Sequence, residues 1–224
     1  MQRLKLHAIG LFAACSLVQP CFCQTGTQKE VAGITQTNAT TSRAAEITQK
    51  LTTLTESDRS SIQAILNNHF EALQVIFDNR KIAMKKAEGS TTDKELAAAR
   101  QQTAWNAAVG QLNKAYVNFL GSISRHLGEE QVEELKDLMT EGGLQNEFDR
   151  FLVLLPGLKE VHKAQITTYL KEARENAMVA ETADVRSDWF IKYRGRANNY
   201  LAAAGFDLRK ATEDLEARGR VIKK

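Results

Sequence analysis

The sequence predicts an all-α fold: an antiparallel helical bundle with two long N-terminal helices forming a hairpin and several shorter C-terminal helices. Three observations carry this. Only two prolines occur in 224 residues, well below average usage, which favours long uninterrupted helices. Beyond Arg43, apolar residues recur at i, i+3 and i+4 almost throughout. No stretch sustains the period-two alternation that marks a half-buried strand. The chain is long enough to bury a real core. Its 30 basic and 27 acidic residues nearly cancel, which argues against both intrinsic disorder and an overall nucleic-acid binder.

The N-terminus reads as an address. Met1 to Leu6 carries Arg3 and Lys5 and no acid, and Ala8 to Val18 is an apolar run. The run is too short to span a bilayer and the right length for a secretory leader. Gln19-Pro20 breaks it, and Cys21-Phe22-Cys23 stands where a small-x-small cleavage site is expected. Residues 1–23 are therefore expected to be a signal peptide cleaved near Cys23, leaving an exported protein, periplasmic or extracellular, with no transmembrane segment. A lipid-anchored alternative would use Phe12-Ala13-Ala14-Cys15, which lies only halfway along the run. Cleavage removes Arg3 and Lys5 and all three cysteines, leaving 28 basic against 27 acidic residues and Pro156 as the remaining proline. An exported chain without thiols has no disulfide, thiol nucleophile or thiolate metal ligand. Residues 24–42, rich in Thr, Gln, Gly and Asn, read as a flexible linker. Asn38-Ala39-Thr40 matches the glycosylation sequon, which carries little weight behind a leader of bacterial type.

Residues 43–218 read as a single all-helical domain and 219–224 as a basic, frayed tail. Ile62, Ile65, Leu66, His69, Leu73, Ile76, Phe77 and Met84 form one stripe on a helix from about Glu56 to Ala87. Glu88-Gly89-Ser90 stops it, and Thr92-Asp93 with Glu95 starts the next. That helix carries Leu96, Trp105, Leu112, Tyr116, Phe119 and Ile123 toward His126. The short connection makes the pair an antiparallel hairpin. A helix begins near Glu129 after Leu127-Gly128. Gly142-Gly143 and Leu155-Pro156-Gly157 bracket a short helix, Gln145 to Leu154. Further helices are expected from Glu160 to about Ala180, from about Ser187 to Ala204, and from Phe206 to Arg218.

Three of these helix starts echo one another. Leu54, Leu127 and Leu158 are each followed by Glu two positions on and by apolar residues at +8, +11 and +12. A leading leucine can staple a helix entrance, and an early acid suits the positive end of the helix dipole. An ancient repeat and a thrice-used initiation device both account for the pattern.

Signatures of chemistry are few. No His-Glu-x-x-His pair, EF-hand loop, nucleophile elbow, phosphate loop or dinucleotide fingerprint occurs, so no metal, cofactor or catalytic residue is assigned. His69, on an apolar stripe, reads as a hydrogen-bonded core histidine. Glu129, Glu130, Glu133 and Glu134 read as a solvated helix face. The unusual stretch is Asp188 to Tyr200, in which Trp189, Tyr193, Arg196 and Tyr200 share one helical face at spacings of 4, 3 and 4, with Asn199 beside them. Aromatic faces next to Arg and Asn suit a polar ring such as a sugar, by stacking and fixed hydrogen bonds. The same pattern serves helix-on-helix packing with the polar tips satisfied at the rim.

Leu158 to Met178 and Trp189 to Leu208, above all Tyr193-x-Gly195-Arg196-x-Asn198-Asn199-Tyr200-Leu201, resemble the C-terminal half of the bacterial family catalogued as domain of unknown function 3826. The Leu54-Thr55-Glu56 start and Leu127 to Thr140 also fit, so the resemblance covers most of residues 43–215. It implies an exported helical protein, largely of Bacteroidota, loosely described as sugar-binding and without an established reaction. The chain departs from the family's pattern at Glu141 to Phe148, where a more aromatic, proline-containing segment is expected. More distantly, the Leu-Thr-Glu-Ser-Asp and Leu-Gly-Glu-Glu-Gln starts resemble the small periplasmic helical chaperones of the Spy and CpxP kind. The expected function is a non-enzymatic carbohydrate-binding or glycan-utilisation module acting through Trp189, Tyr193, Arg196, Asn199 and Tyr200, with no nucleic-acid partner. A periplasmic chaperone and a carboxylate-dependent hydrolase are the alternatives, the latter needing two acids converging about 5–10 Å apart.

Overall fold

A computed structural model describes residues 40–52 and 54–222, with side chains through Arg218. The expected signal peptide, residues 24–39 of the expected linker and the Asn38 sequon lie outside the described residues. Among the described residues there are eight helices and no strand. They are α1 (40–50), α2 (Glu56–Glu88), α3 (Lys94–Ile123), α4 (Glu129–Met139), α5 (Gly143–Leu154), α6 (Glu160–Ala177), α7 (Ala183–Ala203) and α8 (Leu208–Ile222). None of them is long and apolar enough to cross a membrane.

Local chemistry sets most boundaries. Thr55 Oγ1 accepts the Asp58 N–H at 3.1 Å, and Glu56 and Asp58 place negative charge in the first turn of α2. Asp93 caps α3 by accepting from the N–H groups of Glu95 and Leu96, at 2.9 and 3.1 Å. Gln131 Oε1 accepts the Gly128 N–H at 3.2 Å at the start of α4. The three echoed starts all become helices, beginning at Glu56, Glu129 and Glu160. Their +8 and +12 residues (Ile62 and Leu66, Leu135 and Met139, Ile166 and Leu170) are fully buried, while the +11 residues are half-buried.

The packing forms two apolar clusters. α2 and α3 lie along one another as the expected hairpin. Their lower half joins α1 and α4 around Ile62, Leu66, Phe119, Ile123, Leu135 and Met139. The second cluster gathers α5, α6 and α7 around Phe151, Ile166, Leu170, Phe190, Tyr193 and Leu201. Met178, just past α6, is buried in the first cluster and ties the two together. Between α4 and α5 the chain turns a corner with Glu141 and Gly142 both in the left-handed region, at φ 57° and 67°. Directly after it, a Cβ on Gly143 would lie 2.4 Å from Phe190 Cε2, so glycine lets α5 begin against α7.

Several expectations need correction. Residues 40–50 form a helix, which the sequence reading did not separate and partly counted as linker; it buries Ala44, Ile47 and Thr48. α7 begins at Ala183 rather than near Ser187, because Thr182 Oγ1 accepts the Val185 N–H at 3.2 Å. α8 continues past Arg218 to Ile222. Leu96 and Trp105 are exposed, since beyond the first cluster the hairpin has few helices against it. Of the four glutamates expected on a solvated face, Glu129 and Glu130 are exposed, whereas Glu133 and Glu134 are only partly so and are tied to residues outside α4. Glu133 bonds Arg174 and Lys136, and Glu134 accepts from Thr52. His69 is buried as expected, but its ring stacks on Phe119 at 4.2 Å and its Nε2 has no hydrogen-bond partner.

Candidate functional site

α7 presents the predicted stripe along its contact with α6, and the five residues take up different positions. Tyr193 is buried in the second cluster, Trp189 and Tyr200 are half-buried against it, and Arg196 and Asn199 are exposed. Trp189 and Tyr200 are eleven positions apart, so the band extends about 16 Å at the helical rise.

Along that band aromatic rings alternate with cations. Lys192 Nζ lies 4.6 Å from the Trp189 ring centre, and Arg196 Cζ lies 4.5 Å from that of Tyr193. Trp189 and Tyr193 are tilted neighbours with centroids 6.4 Å apart. Arg196 also pairs with Glu172 of α6 at 3.3 Å, where both side chains are about half exposed. Exposed cation–π contacts are worth only about 0.5–1 kcal/mol, so a stacking ligand can displace Lys192 from the indole at small cost.

α6 and the turn between α7 and α8 complete the face with residues not expected there from the sequence. His162 Nδ1 and the Tyr200 hydroxyl are hydrogen-bonded at 2.9 Å. Phe206 meets His162 edge-on at 5.1 Å, and Tyr169 meets Tyr200 at 6.2 Å. Asn176 Nδ2 donates to the Tyr193 hydroxyl at 3.4 Å. His162, Tyr169, Glu172 and Asn176 stand at spacings of 7, 3 and 4, the period of one helical face. That spacing was the available signal for α6. Phe206 had none, because it arrives through a turn.

A cleft of about 910 Å³ opens over α4 and is lined by Glu129, Glu130, Glu133, Glu134, Asp137 and Glu141 with Lys50. None of the five stripe residues lines it. Burial raises the Glu133 pKa, but hydrogen bonds from Arg174 and Lys136 outweigh this and hold the carboxyl below its usual range. Glu175, on α6, is pushed up by burial. Lys136 Nζ lies 3.1 Å from Glu133 and 3.0 Å from Glu175, which places the two carboxylates within about 6 Å of one another. The ammonium stands between them, where a hydrolase would need the scissile oxygen or a water. A second cavity, about 440 Å³, lies between α2 and α3 beside His69.

The family described as a protein of unknown function (DUF3826) covers residues 37–221. No curated protein matches the chain.

Proposed function

The chain belongs to the DUF3826 family, and from that premise we propose that it is an exported, non-enzymatic module that binds carbohydrate on its α6–α7 face. The observation that carries this is the alternation of partly exposed aromatic rings with polar side chains along a shallow surface. Trp189 and Tyr200 offer apolar ring area, while Arg196, Asn199, Glu172 and His162 offer donors and acceptors beside it. A sugar ring needs this mixture, an apolar face to lie on and fixed partners for its hydroxyls.

The test is a glycan array probed with the purified chain, with Trp189→Ala as control. Binding to one glycan class is expected, and loss of an aromatic platform worth about 1.5 kcal/mol weakens it about tenfold. Arg196→Ala and Asn199→Ala, which remove single exposed partners, are expected to cost less. A folded protein that binds no glycan on the array overturns the reading.

The chaperone reading has one observation of its own. Val75, Ile82, Leu96, Trp105, Val109 and Val117 are large apolar side chains exposed on the α2–α3 hairpin. Absence of glycan binding together with slowed aggregation of unfolded client proteins would favour it.

A further inference from the structure

The α6–α7 face does not end at Tyr200. Gly205, at φ 90°, turns the chain out of α7, and the Phe206 N–H donates to the Leu201 carbonyl at 3.0 Å. The turn brings the Phe206 ring back against α6, edge-on to His162 at 5.1 Å. Ring centres therefore continue from Tyr200 to His162 to Phe206 in steps of 5.7 and 5.1 Å. All three side chains are half-buried, so each keeps part of its surface in solvent.

Phe206 also lines a hollow of about 450 Å³ between the end of α5 and α8, within the size range of small-molecule sites. Leu155 and Pro156 give it apolar area, and the exposed side chains of Asp214 and Arg218 stand at its rim. Arg218 Nη2 donates to the Val153 carbonyl at 3.4 Å, which ties α8 to the end of α5. A carboxylate and a guanidinium beside apolar rings repeat the mixture that Glu172 and Arg196 provide on the α6–α7 face. Gly157 belongs to the wall of the hollow, and a Cβ there would meet no atom within 4 Å.

We infer that the carbohydrate bound by this protein is an oligosaccharide, with one stretch on the α6–α7 face and its next rings passing over Phe206 into the α5–α8 hollow. The inference rests on the carbohydrate reading of the α6–α7 face and adds the length of the ligand to it. Phe206 carries it, because one ring borders both the face and the hollow. The band from Trp189 to Tyr200 alone extends about 16 Å, more than one sugar ring covers. When successive rings of one chain occupy joined subsites, the second contact is intramolecular, and a long ligand gains affinity that a single ring cannot.

The test measures, by titration calorimetry on the full chain, the binding of cello-, xylo-, manno- and galacto-oligosaccharides from monosaccharide to hexasaccharide. In a series that binds, the hexasaccharide is expected to bind at least about tenfold more tightly than the monosaccharide. Gly157→Leu puts a bulky side chain at the wall of the hollow, and is expected to remove most of that gain while leaving the monosaccharide affinity unchanged. Arg218→Ala removes one exposed donor and is expected to weaken the hexasaccharide about threefold. This second variant carries the test if Gly157→Leu does not fold. Trp189→Ala is expected to weaken the hexasaccharide as well. Equal affinities for monosaccharide and hexasaccharide, or a hexasaccharide affinity unaltered in both Gly157→Leu and Arg218→Ala, overturn the inference and leave the α6–α7 reading standing. A hexasaccharide affinity that falls in Gly157→Leu but not in Trp189→Ala also overturns it, because that places the whole ligand in the hollow. No binding in any of the four series overturns the inference, and with a blank glycan array it overturns the α6–α7 reading too.

Discussion

At the scale of single residues, His69 shows how a correct placement can carry an incomplete chemical reading. Its position on an apolar stripe was legible, because helical periodicity reports burial. Whether each ring nitrogen found a partner was not, since that depends on how α3 meets α2. The consequence for stability can be worked out by sign. The folded protein disfavours the imidazolium, whereas the unfolded chain takes up the proton near the ordinary value of 6.5. As pH falls below that value, the unfolded state binds protons that the folded state does not. The stabilisation is therefore present above 6.5 and is lost progressively as pH falls toward about 4. Arg43 of α1, whose cation adds to the burial effect, is a guanidinium and keeps its charge throughout the window. Urea melts are expected to show a loss of about 2 kcal/mol between about pH 7 and pH 5 from this group. The same measurement on His69→Phe is expected to give a flatter profile, and an unchanged slope would remove His69 as the cause.

At the scale of elements, the sequence made the helices visible through their ends. Thr55, Asp93 and the Leu127-Gly128 start are local signals, and the structure uses each of them. Thr182 is an equally good cap, but no apolar period follows it closely, so the start of α7 was placed four residues late. Segment 40–50 was not separated because its composition continues that of the linker before it; only packing reveals its buried side. Gly142-Gly143 was read as a helix boundary, yet the two glycines have different tasks. Gly142 supplies a left-handed turn, whereas Gly143 supplies room for Phe190. Gly143→Ala puts a methyl group into the Phe190 ring and is expected to destabilise by about 1–3 kcal/mol, as overpacking does. Gly195, inside α7, has no atom within 4 Å of the corresponding position. Gly195→Ala is therefore expected to stabilise by about 0.5–1 kcal/mol through the lower backbone entropy of the unfolded chain. Thermal melts of the two variants should shift in opposite directions. A neutral Gly143→Ala would mean that α5 and α7 can separate without penalty. The candidate site divides in the same way: α7's aromatic spacing was readable, whereas the contributions of His162 and Phe206 depended on packing between helices.

At the scale of the whole molecule, ionic contacts bridge the two apolar clusters, and no local pattern announces them. Arg80 and Lys81 of α2 hold Glu181, Lys136 of α4 holds Glu175, and Arg186 of α7 holds Glu141. Arg174 lies at the centre, with its side chain 3% exposed, and reaches Glu133 and Asp137 across 41 and 37 residues of sequence. The Glu133 and Asp137 side chains are each 44% exposed, so the desolvation in this group falls mainly on the guanidinium. This asymmetry makes the two ways of removing the network unequal. Glu133→Gln with Asp137→Asn leaves a buried cation without its principal counter-charges, which is expected to cost about 3 kcal/mol or more. Arg174→Met removes the buried charge, keeps an unbranched side chain in its space, and lets the carboxylates return to water. Its cost is expected to be less than half as large. The double variant should also melt in a broader calorimetric transition, because the contact most able to couple the clusters has been weakened while each core is intact. If Arg174→Met proves as damaging as the double variant, loss of the guanidinium's own contacts outweighs charge at this junction.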